Sequence, residues 1–325
     1  MKNCSLFAFG AALLLSATGA QAETLRVAGV YPAASDDAIS IEVLTVDRFA
    51  GSEGARLSYL IEDRLRGVSI AGDPWFTVLV PQLAHEADGV LSGYAEPRFS
   101  EYDYRGTRNI CVRKDEDNAC IERRNVETDC IRVNLVMEPD VRLVAQDGRL
   151  LWSSNTRRTS EASFCPEFDA SPQFDTIIDG WVNEFAAHVR TSLAPRSSTN
   201  SVRIMEGRRG LDREARSVFR TAVALTDTDE RAACDMFGSL LADNPEQPSL
   251  IFNTGLCAEQ MGDFAEAQDL YRVALSSRRS DDEAEAGLRR LSLRMRAERQ
   301  LDERERLLAL RYPLAPIAGE AVFNK

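Results

Sequence analysis

The sequence predicts an α+β domain, with a mixed sheet, a strand meander and flanking helices, followed by an all-α domain of helical hairpins. Strand and helix patterns alternate between residues 25 and 193. After residue 212 the apolar spacing is helical, and a 34-residue period recurs there. A length of 325 residues agrees with two domains.

The composition excludes several classes of protein. The chain has 51 acidic and 39 basic side chains, a formal net charge of −12 and a hydrophobic fraction of 44%. That hydrophobic fraction is too high for a disordered acidic tail. The negative charge excludes a nucleic-acid binder that relies on excess positive charge.

Residues 1–22 have the pattern of a cleavable secretory signal. Lys2 supplies the charged start, Leu6 to Leu15 form an apolar run, and Ala20-Gln21-Ala22 form a small-residue cleavage site. The apolar run is shorter than the roughly 20 residues that span a bilayer. We therefore expect a periplasmic mature chain without a membrane span.

The cysteines that follow the signal predict disulfides: Cys111, Cys120, Cys130, Cys165, Cys234 and Cys257. An even number in an oxidising compartment favours bridges. Zinc is the alternative, but the chain has no C-x-x-C pair, and its only histidines, His85 and His188, are distant. We expect neither a metal nor another cofactor.

The pairing of these cysteines is only partly specified. Four cysteines in the first domain allow three pairings. The polar stretch between Cys111 and Cys120 could form a hairpin turn, which favours that pair and leaves Cys130 for Cys165. Cys234 and Cys257 are expected to join two helical hairpins, with two buried free thiols as the alternative.

The first domain is predicted to contain strands and two amphipathic helices. The strands are predicted over residues 39–49, 75–80, 89–95, 131–137, 141–146 and 149–153. Asp147-Gly148 suits a two-residue turn between the last two strands. One helix is predicted between Ser52 and Gly67, and another after Ser171-Pro172. The second should cover one face of the sheet.

The order strand, helix, strand, then "ADGVLSGYAEPRF", a meander ending in "VRLVAQDGRLLWS" and a closing helix resembles the periplasmic domain of the curli-assembly secretion family. The resemblance covers roughly half the chain. Members that form an outer-membrane channel carry an acylated N-terminal cysteine and lipid-facing hairpins. Cys4 lies inside the signal, and residues 107–130 carry charges on both faces. A pore is therefore disfavoured.

The segment "IFNTGLCAEQMGDFAEAQDLYRVAL", from Ile251 to Leu275, resembles a tetratricopeptide repeat. Small residues at Gly255 and Ala258 would let paired helices approach, and Tyr271 would fill the gap between them. A step of 34 residues back aligns Ala224, Ala233 and Phe237 with Ala258, Ala267 and Tyr271. A degenerate repeat therefore precedes this one, with an unrelated helical hairpin as the alternative.

These patterns give the predicted domain boundaries: a signal at 1–22, an α+β domain at 23–194, a linker at 195–211, a helical domain at 212–311 and a tail at 312–325. Within the helical domain, Ala284, Leu288 and Leu291 would stack on the second repeat. The charged continuation from Ala297 to Leu310 is expected to project into solvent or onto a partner.

The tetratricopeptide resemblance also implies a partner-binding groove. The first helix of each hairpin lines a concave surface in such arrays. That surface maps onto Phe252, Asn253, Leu256, Glu259 and Gln260, with Arg290 and Arg294 from the following helix. An exposed aromatic beside guanidinium groups suits an extended peptide with an acidic group. The alternative is that Phe252 is core and that the arginines pair with surface acids.

No motif in the chain predicts catalysis. G-x-S-x-G, H-E-x-x-H, Walker and dinucleotide patterns are absent, and neither histidine has a partner motif. The leading hypothesis is a non-catalytic periplasmic adaptor that binds a protein or peptide in the cell envelope. The alternative is an accessory subunit of an outer-membrane export or assembly system, and a hydrolase has no positive support.

Cleavage after Ala22 predicts that the mature chain begins at Glu23. N-terminal sequencing of protein from a periplasmic extract should therefore give Glu-Thr-Leu. An uncleaved or acylated N-terminus would contradict this prediction.

Overall fold

A computed structural model describes residues 23–276 and 281–311. The predicted signal and the predicted tail lie outside the described residues. The chain forms two compact units. Of the described residues, the α+β unit contains 29–198 and 292–311, and the helical unit contains 23–28 and those between 199 and 291. The predicted fold class, α+β followed by helical hairpins, is confirmed.

The strands are β1 Thr24–Tyr31, β2 Val43–Val46, β3 Ser69–Ile70, β4 Asp73–Pro74, β5 Thr77–Leu79, β6 Gly89–Tyr94, β7 Pro97–Lys114, β8 Cys120–Met137, β9 Asp140–Ala145, β10 Leu150–Ser154, β11 Arg158–Phe164 and β12 Arg196–Arg203. The helices are α1 Gly54–Arg66, α2 Asp175–Leu193, α3 Arg213–Leu225, α4 Glu230–Asp243, α5 Pro248–Met261, α6 Phe264–Ala274 and α7 Asp281–Arg311. Short 3₁₀ helices cover Asp37–Ser40 and Pro81–Glu86.

A five-stranded mixed sheet forms the centre of the α+β unit, in the order β10-β9-β6-β2-β5. Strand β2 runs parallel to β5 and β6, whereas β9 is antiparallel to β6 and β10. Parallel neighbours need a crossover, and α1 supplies it between β2 and β5. The apolar stripe of α1 includes Leu57, Ile61 and Leu65, which are fully buried. These side chains share one core with apolar residues of α2.

A second, three-stranded antiparallel sheet in this unit has the order β11-β8-β7. In β8 the odd-numbered residues Val133, Leu135 and Met137 are buried, whereas their even-numbered neighbours are not. Side chains alternate between the faces of a strand, so this end of the sheet has one core face and one outer face.

The helical unit contains two antiparallel hairpins, α3 with α4 and α5 with α6, followed by the start of α7. The side chains of Asp212, Asp229, Gln247 and Asp263 cap α3 to α6 by accepting a backbone N–H. Gly262, with a φ of 85°, ends α5 in the left-handed conformation.

All three predicted disulfides are present: Cys111–Cys120, Cys130–Cys165 and Cys234–Cys257. The last joins α4 to α5, between consecutive hairpins as predicted. Bridges of this kind are typical of proteins that fold in an oxidising compartment.

The predicted linker and the predicted end of the helical domain differ from the structure. Residues 196–203 form β12, which pairs with β1, and the Ile204 N–H donates to the Glu23 carbonyl at 3.0 Å. The sequence does not indicate this strand, because its serine, threonine and asparagine residues show no alternation of apolar and polar side chains. Residues 292–311 group with the α+β unit, not with the helical domain.

Residues 297–310 are expected to project into solvent or onto a partner, but one face of this segment packs within its own α+β unit. Ala297 is fully buried, and Leu301 packs against the α+β core. The Arg304 guanidinium donates to the carbonyls of Ile39, Ile41 and Trp75. At least one charged side chain of this segment, that of Arg304, therefore binds backbone carbonyls instead of pointing into solvent.

Two predicted strands are shorter than expected. The pattern over residues 39–49 becomes a 3₁₀ turn followed by β2, and only Thr77–Leu79 of residues 75–80 join the sheet. The carbonyls of Ile39, Ile41 and Trp75 bind Arg304 rather than a neighbouring strand, which accounts for the shorter ladders.

Close packing of α7 on Tyr271 gives a stability prediction. A Cβ at Gly287 would lie 2.6 to 2.9 Å from the buried Tyr271 ring. Gly287→Ala should therefore lower the free energy of unfolding by about 1–3 kcal/mol. At Gly238 on α4 a Cβ meets nothing within 4 Å. Gly238→Ala should raise stability by about 0.5–1 kcal/mol because alanine favours helix. Denaturant unfolding of both variants checks the opposite signs, and equal effects would contradict the packing argument.

Candidate functional site

The α+β unit carries a long hairpin, β7-β8, much of which is exposed. Each strand has 18 residues, and β7 contains no buried residue. Strand β11 pairs with β8 only from Ile131 to Met137. From Cys120 to Cys130, β8 pairs with β7 alone among the described strands. The outer half of the hairpin is thus a two-stranded ribbon.

Covalent and ionic contacts hold this ribbon. Cys111–Cys120 joins the strands near the tip, and Cys130–Cys165 ties β8 to the loop after β11. In that loop Asp169 accepts two hydrogen bonds from Arg108 and one from the Cys165 N–H. These contacts, the Arg108 bond foremost, hold the pKa of Asp169 below its usual value. An isolated ribbon is marginal in water, so these links make it a defined surface.

The outer face at the base of the hairpin carries a cluster that we call the hairpin surface: Tyr102, Tyr104, Arg132, Asn134 and Glu161. The register explains the cluster, because Tyr102 lies opposite Arg132 and Asn134 lies opposite Glu161. The cluster lines a shallow cavity of about 380 Å³.

Contacts within the cluster orient its side chains. The Arg132 guanidinium lies 5.5 Å from the centre of the Tyr104 ring and 3.4 Å from a Glu161 oxygen. Tyr102 remains 57% exposed. Tyrosine and arginine are enriched where proteins bind one another, since a ring supplies apolar area and a guanidinium supplies directed donors. The cluster is therefore suited to docking a polypeptide.

The predicted groove on α5 is not an exposed surface. Phe252, Asn253, Leu256 and Glu259 are all fully buried. The Asn253 amide exchanges two hydrogen bonds with the Met205 backbone, so the segment after β12 covers this part of α5. The alternative reading, that Phe252 is core, is the one the structure supports.

The other residues of the predicted groove have intramolecular partners as well. Arg290 donates two hydrogen bonds to Glu259, which also accepts one from the Tyr271 hydroxyl at 2.7 Å. Burial, followed by the charge of Glu259, raises the pKa of Tyr271. Gln260 donates to the Arg26 carbonyl and to Glu230. Arg294 is buried in the α+β unit beside Gly29.

Neither histidine lies near the hairpin surface in sequence. His85 is in a 3₁₀ helix, exposed and 3.5 Å from Glu86. His188 is on α2, with its ring 6.3 Å from that of Trp152. Over residues 23–276 and 281–311, no three His, Cys, Asp or Glu side chains cluster as metal ligands would. None of the described helices is long and apolar enough to cross a membrane.

Comparisons with known proteins do not assign the chain to a family. No family model matches it, and no curated protein matches it. Among solved structures, a dodecameric point variant of PelC from Paraburkholderia phytofirmans matches with 17% identity over 52% of this chain and 96% of that chain. The TM-score of 0.22 is too low for PelC to support the proposals below. The tetratricopeptide and curli-assembly resemblances remain predictions.

Sequence reasoning missed the hairpin surface. Strand β7 was not predicted, because its charged and aromatic residues alternate without an apolar face. Tyr102 and Tyr104 share a period of two, as Arg132 and Asn134 do. That shared period was the available signal, but only the register brings the two pairs together.

The buried Arg290–Glu259 pair gives a prediction. Arg290→Met leaves the Glu259 carboxylate buried without its cation, so the free energy of unfolding should fall by about 3 kcal/mol. Arg289→Met is the matched control, because Arg289 and its partner Glu285 are both 62% exposed. Its effect should stay within about 0.5 kcal/mol. Denaturant unfolding measures both, and a similarly small loss for Arg290→Met would show that the pair is not structural.

Proposed function

We propose that this protein is a non-catalytic adaptor of the periplasm that docks a partner protein on the hairpin surface. The observation that carries the proposal is the exposed Tyr102–Arg132 cluster on a hairpin fixed by two disulfides. The absence of catalytic motifs from the sequence and the secretory pattern of residues 1–22 agree with this role.

The fixed hairpin favours binding for an energetic reason. Ordering a flexible loop on binding costs conformational entropy, and preorganisation removes much of that cost. Here the Cys130–Cys165 bridge and the Arg108–Asp169 ion pair hold the ribbon before a partner arrives. A tyrosine loses few rotamers on binding, so the exposed Tyr102 ring adds contact area at a small further entropic cost.

The helical unit is not the docking surface in this proposal. The residues predicted to bind a peptide there, Phe252 and Leu256 among them, lie inside its core. Its role is to extend the scaffold, with the Cys234–Cys257 bridge fixing one hairpin against the next.

A more specific form of the proposal is an accessory subunit of an outer-membrane export or assembly system. The sequence resemblance carried by "ADGVLSGYAEPRF" and the strand meander favours this form. The identity of the docked partner distinguishes the two, because only this form requires a component of such a system.

Photo-crosslinking tests the docking surface. A benzoylphenylalanine at Tyr102 should form a covalent adduct with the partner in intact envelopes. The matched position is Tyr59 on α1, which is 67% exposed and should give no adduct. Adducts with the mass of two copies of this chain are counted separately. Equal adducts at both positions would place docking elsewhere.

The affinity for the purified partner, measured for wild type and variants, tests the docking surface quantitatively. Tyr102→Ala and Arg132→Ala should each weaken its affinity by about 10-fold or more, the effect of a central interface residue. Tyr59→Ala should leave the affinity unchanged. If both hairpin variants stay folded by circular dichroism and bind at wild-type affinity, the hairpin surface is not the docking site.

A further inference from the structure

Strand β7 is an edge of its sheet. The order β11-β8-β7 leaves one side of its backbone without a partner strand among the described residues. At about 3.3 Å per residue, its 18 residues extend about 60 Å. An exposed edge presents a row of N–H and C=O groups that can pair with another strand.

Proline and register irregularities, which commonly protect such an edge, occur in β7 only at its ends. Pro97 begins the strand, and the register is irregular between Cys111 and Lys114. From Arg98 to Ile110 the pairing with β8 is unbroken, and this stretch has neither proline nor lysine. The edge strands β5, β10 and β11 have only 3, 5 and 7 residues. Strand β7 is therefore the longest edge in the two larger sheets.

Between residues 100 and 110 of β7, the charges are separated by sign. Glu101 and Asp103 lie toward the base of the hairpin, whereas Arg105 and Arg108 lie toward its tip. A second β7 running antiparallel would bring its basic half beside the acidic half of the first. A parallel copy would place like charges together, which is unfavourable across strands. This stretch of β7, residues 100–110, is thus complementary to itself in one direction only.

We propose that β7 pairs antiparallel with β7 of a second copy of this chain, around a two-fold axis at Tyr104. An interface between identical surfaces on a two-fold axis closes as a dimer. This inference concerns the backbone edge of β7, although Tyr104 also belongs to the hairpin surface. It does not depend on the partner proposed above.

The register set by that axis agrees with the side chains. Asp103 lies opposite Arg105 of the second copy, and the symmetry forms this contact twice. Arg105 also contacts Asp129 at 3.2 Å, and its five N–H donors can serve two carboxylates.

The test is a charge exchange on the full mature chain. Light scattering over a concentration series should show a dimer of the wild-type protein. Asp103→Arg and Arg105→Asp should each weaken self-association by about tenfold or more, because each places two pairs of like charges across the axis. An equimolar mixture of the two variants should restore the dimer, because every cross-strand contact is then between opposite charges.

Controls separate this interface from other routes to association. Asp269→Arg reverses a 78% exposed charge on α6 and should leave the dimer intact. Circular dichroism should show that Asp103→Arg and Arg105→Asp remain folded. A wild-type chain that stays monomeric at its highest soluble concentration would overturn the proposal. So would a dimer that both reversals leave unchanged, or a mixture that fails to restore it.

Discussion

The hairpin depends on the Cys130–Cys165 bridge, which lies just beyond Val133, the last buried residue on the core face of β8. Toward Met137, alternate residues of β8 are buried and β11 supplies a second strand. Toward Cys120, β8 has only β7 as a partner and makes no further contact with the apolar core. A strand held on one side only would separate readily. The covalent link to Cys165 replaces hydrophobic burial at the transition.

Small residues and side-chain hydrogen bonds complete this transition. A Cβ on Gly106 would lie 2.5 Å from the Cys130 sulfur, so glycine there lets the bridge pack against β7. Thr128 donates to Glu167 in the same loop that holds Asp169. The exposed ribbon, with its tyrosine and arginine face and its open edge, is positioned by this group of contacts. Docking and self-pairing therefore share one structural support. Docking uses side chains of the hairpin surface, whereas self-pairing uses the backbone edge of β7 with Asp103 and Arg105.

The parts of the fold that the sequence predicted are those with local signals. Helix α1 follows from the spacing of Leu57, Ile61 and Leu65. Asp147-Gly148 marks the place of the β9-β10 turn, and Gly148 has a φ of 87°, but the connection covers residues 146–149 rather than two residues. The disulfides followed from compartment and spacing. The parts that the sequence did not predict depend on partners distant in the chain. Strand β7 has no apolar face of its own, and the hairpin surface exists only through the register with β8 and β11.

The predicted groove failed for a reason visible in α5 itself. Leu250, Ile251 and Phe252 are consecutive, and Leu256, Cys257 and Ala258 follow. Apolar residues on every side indicate a helix surrounded by protein, not one that lines an open surface. Burial of Glu259 is then possible because Tyr271 and Arg290 both donate to its carboxylate. A buried carboxylate with two donors is a packing element of the helical unit.

Arg304 shows why charge alone does not predict exposure. Its segment of α7 is rich in arginine and glutamate, as a solvated helix would be. The carbonyls of Ile39, Ile41 and Trp75 lie outside strands and need donors, and one guanidinium supplies all three hydrogen bonds. The same group lies 4.0 Å from the centre of the Trp75 ring, where a cation is favourable. Burial lowers the pKa of Arg304 to about 10, so the side chain keeps its charge at neutral pH and all its donors. The buried Arg304 thus donates to backbone carbonyls that receive no hydrogen bond from a neighbouring strand.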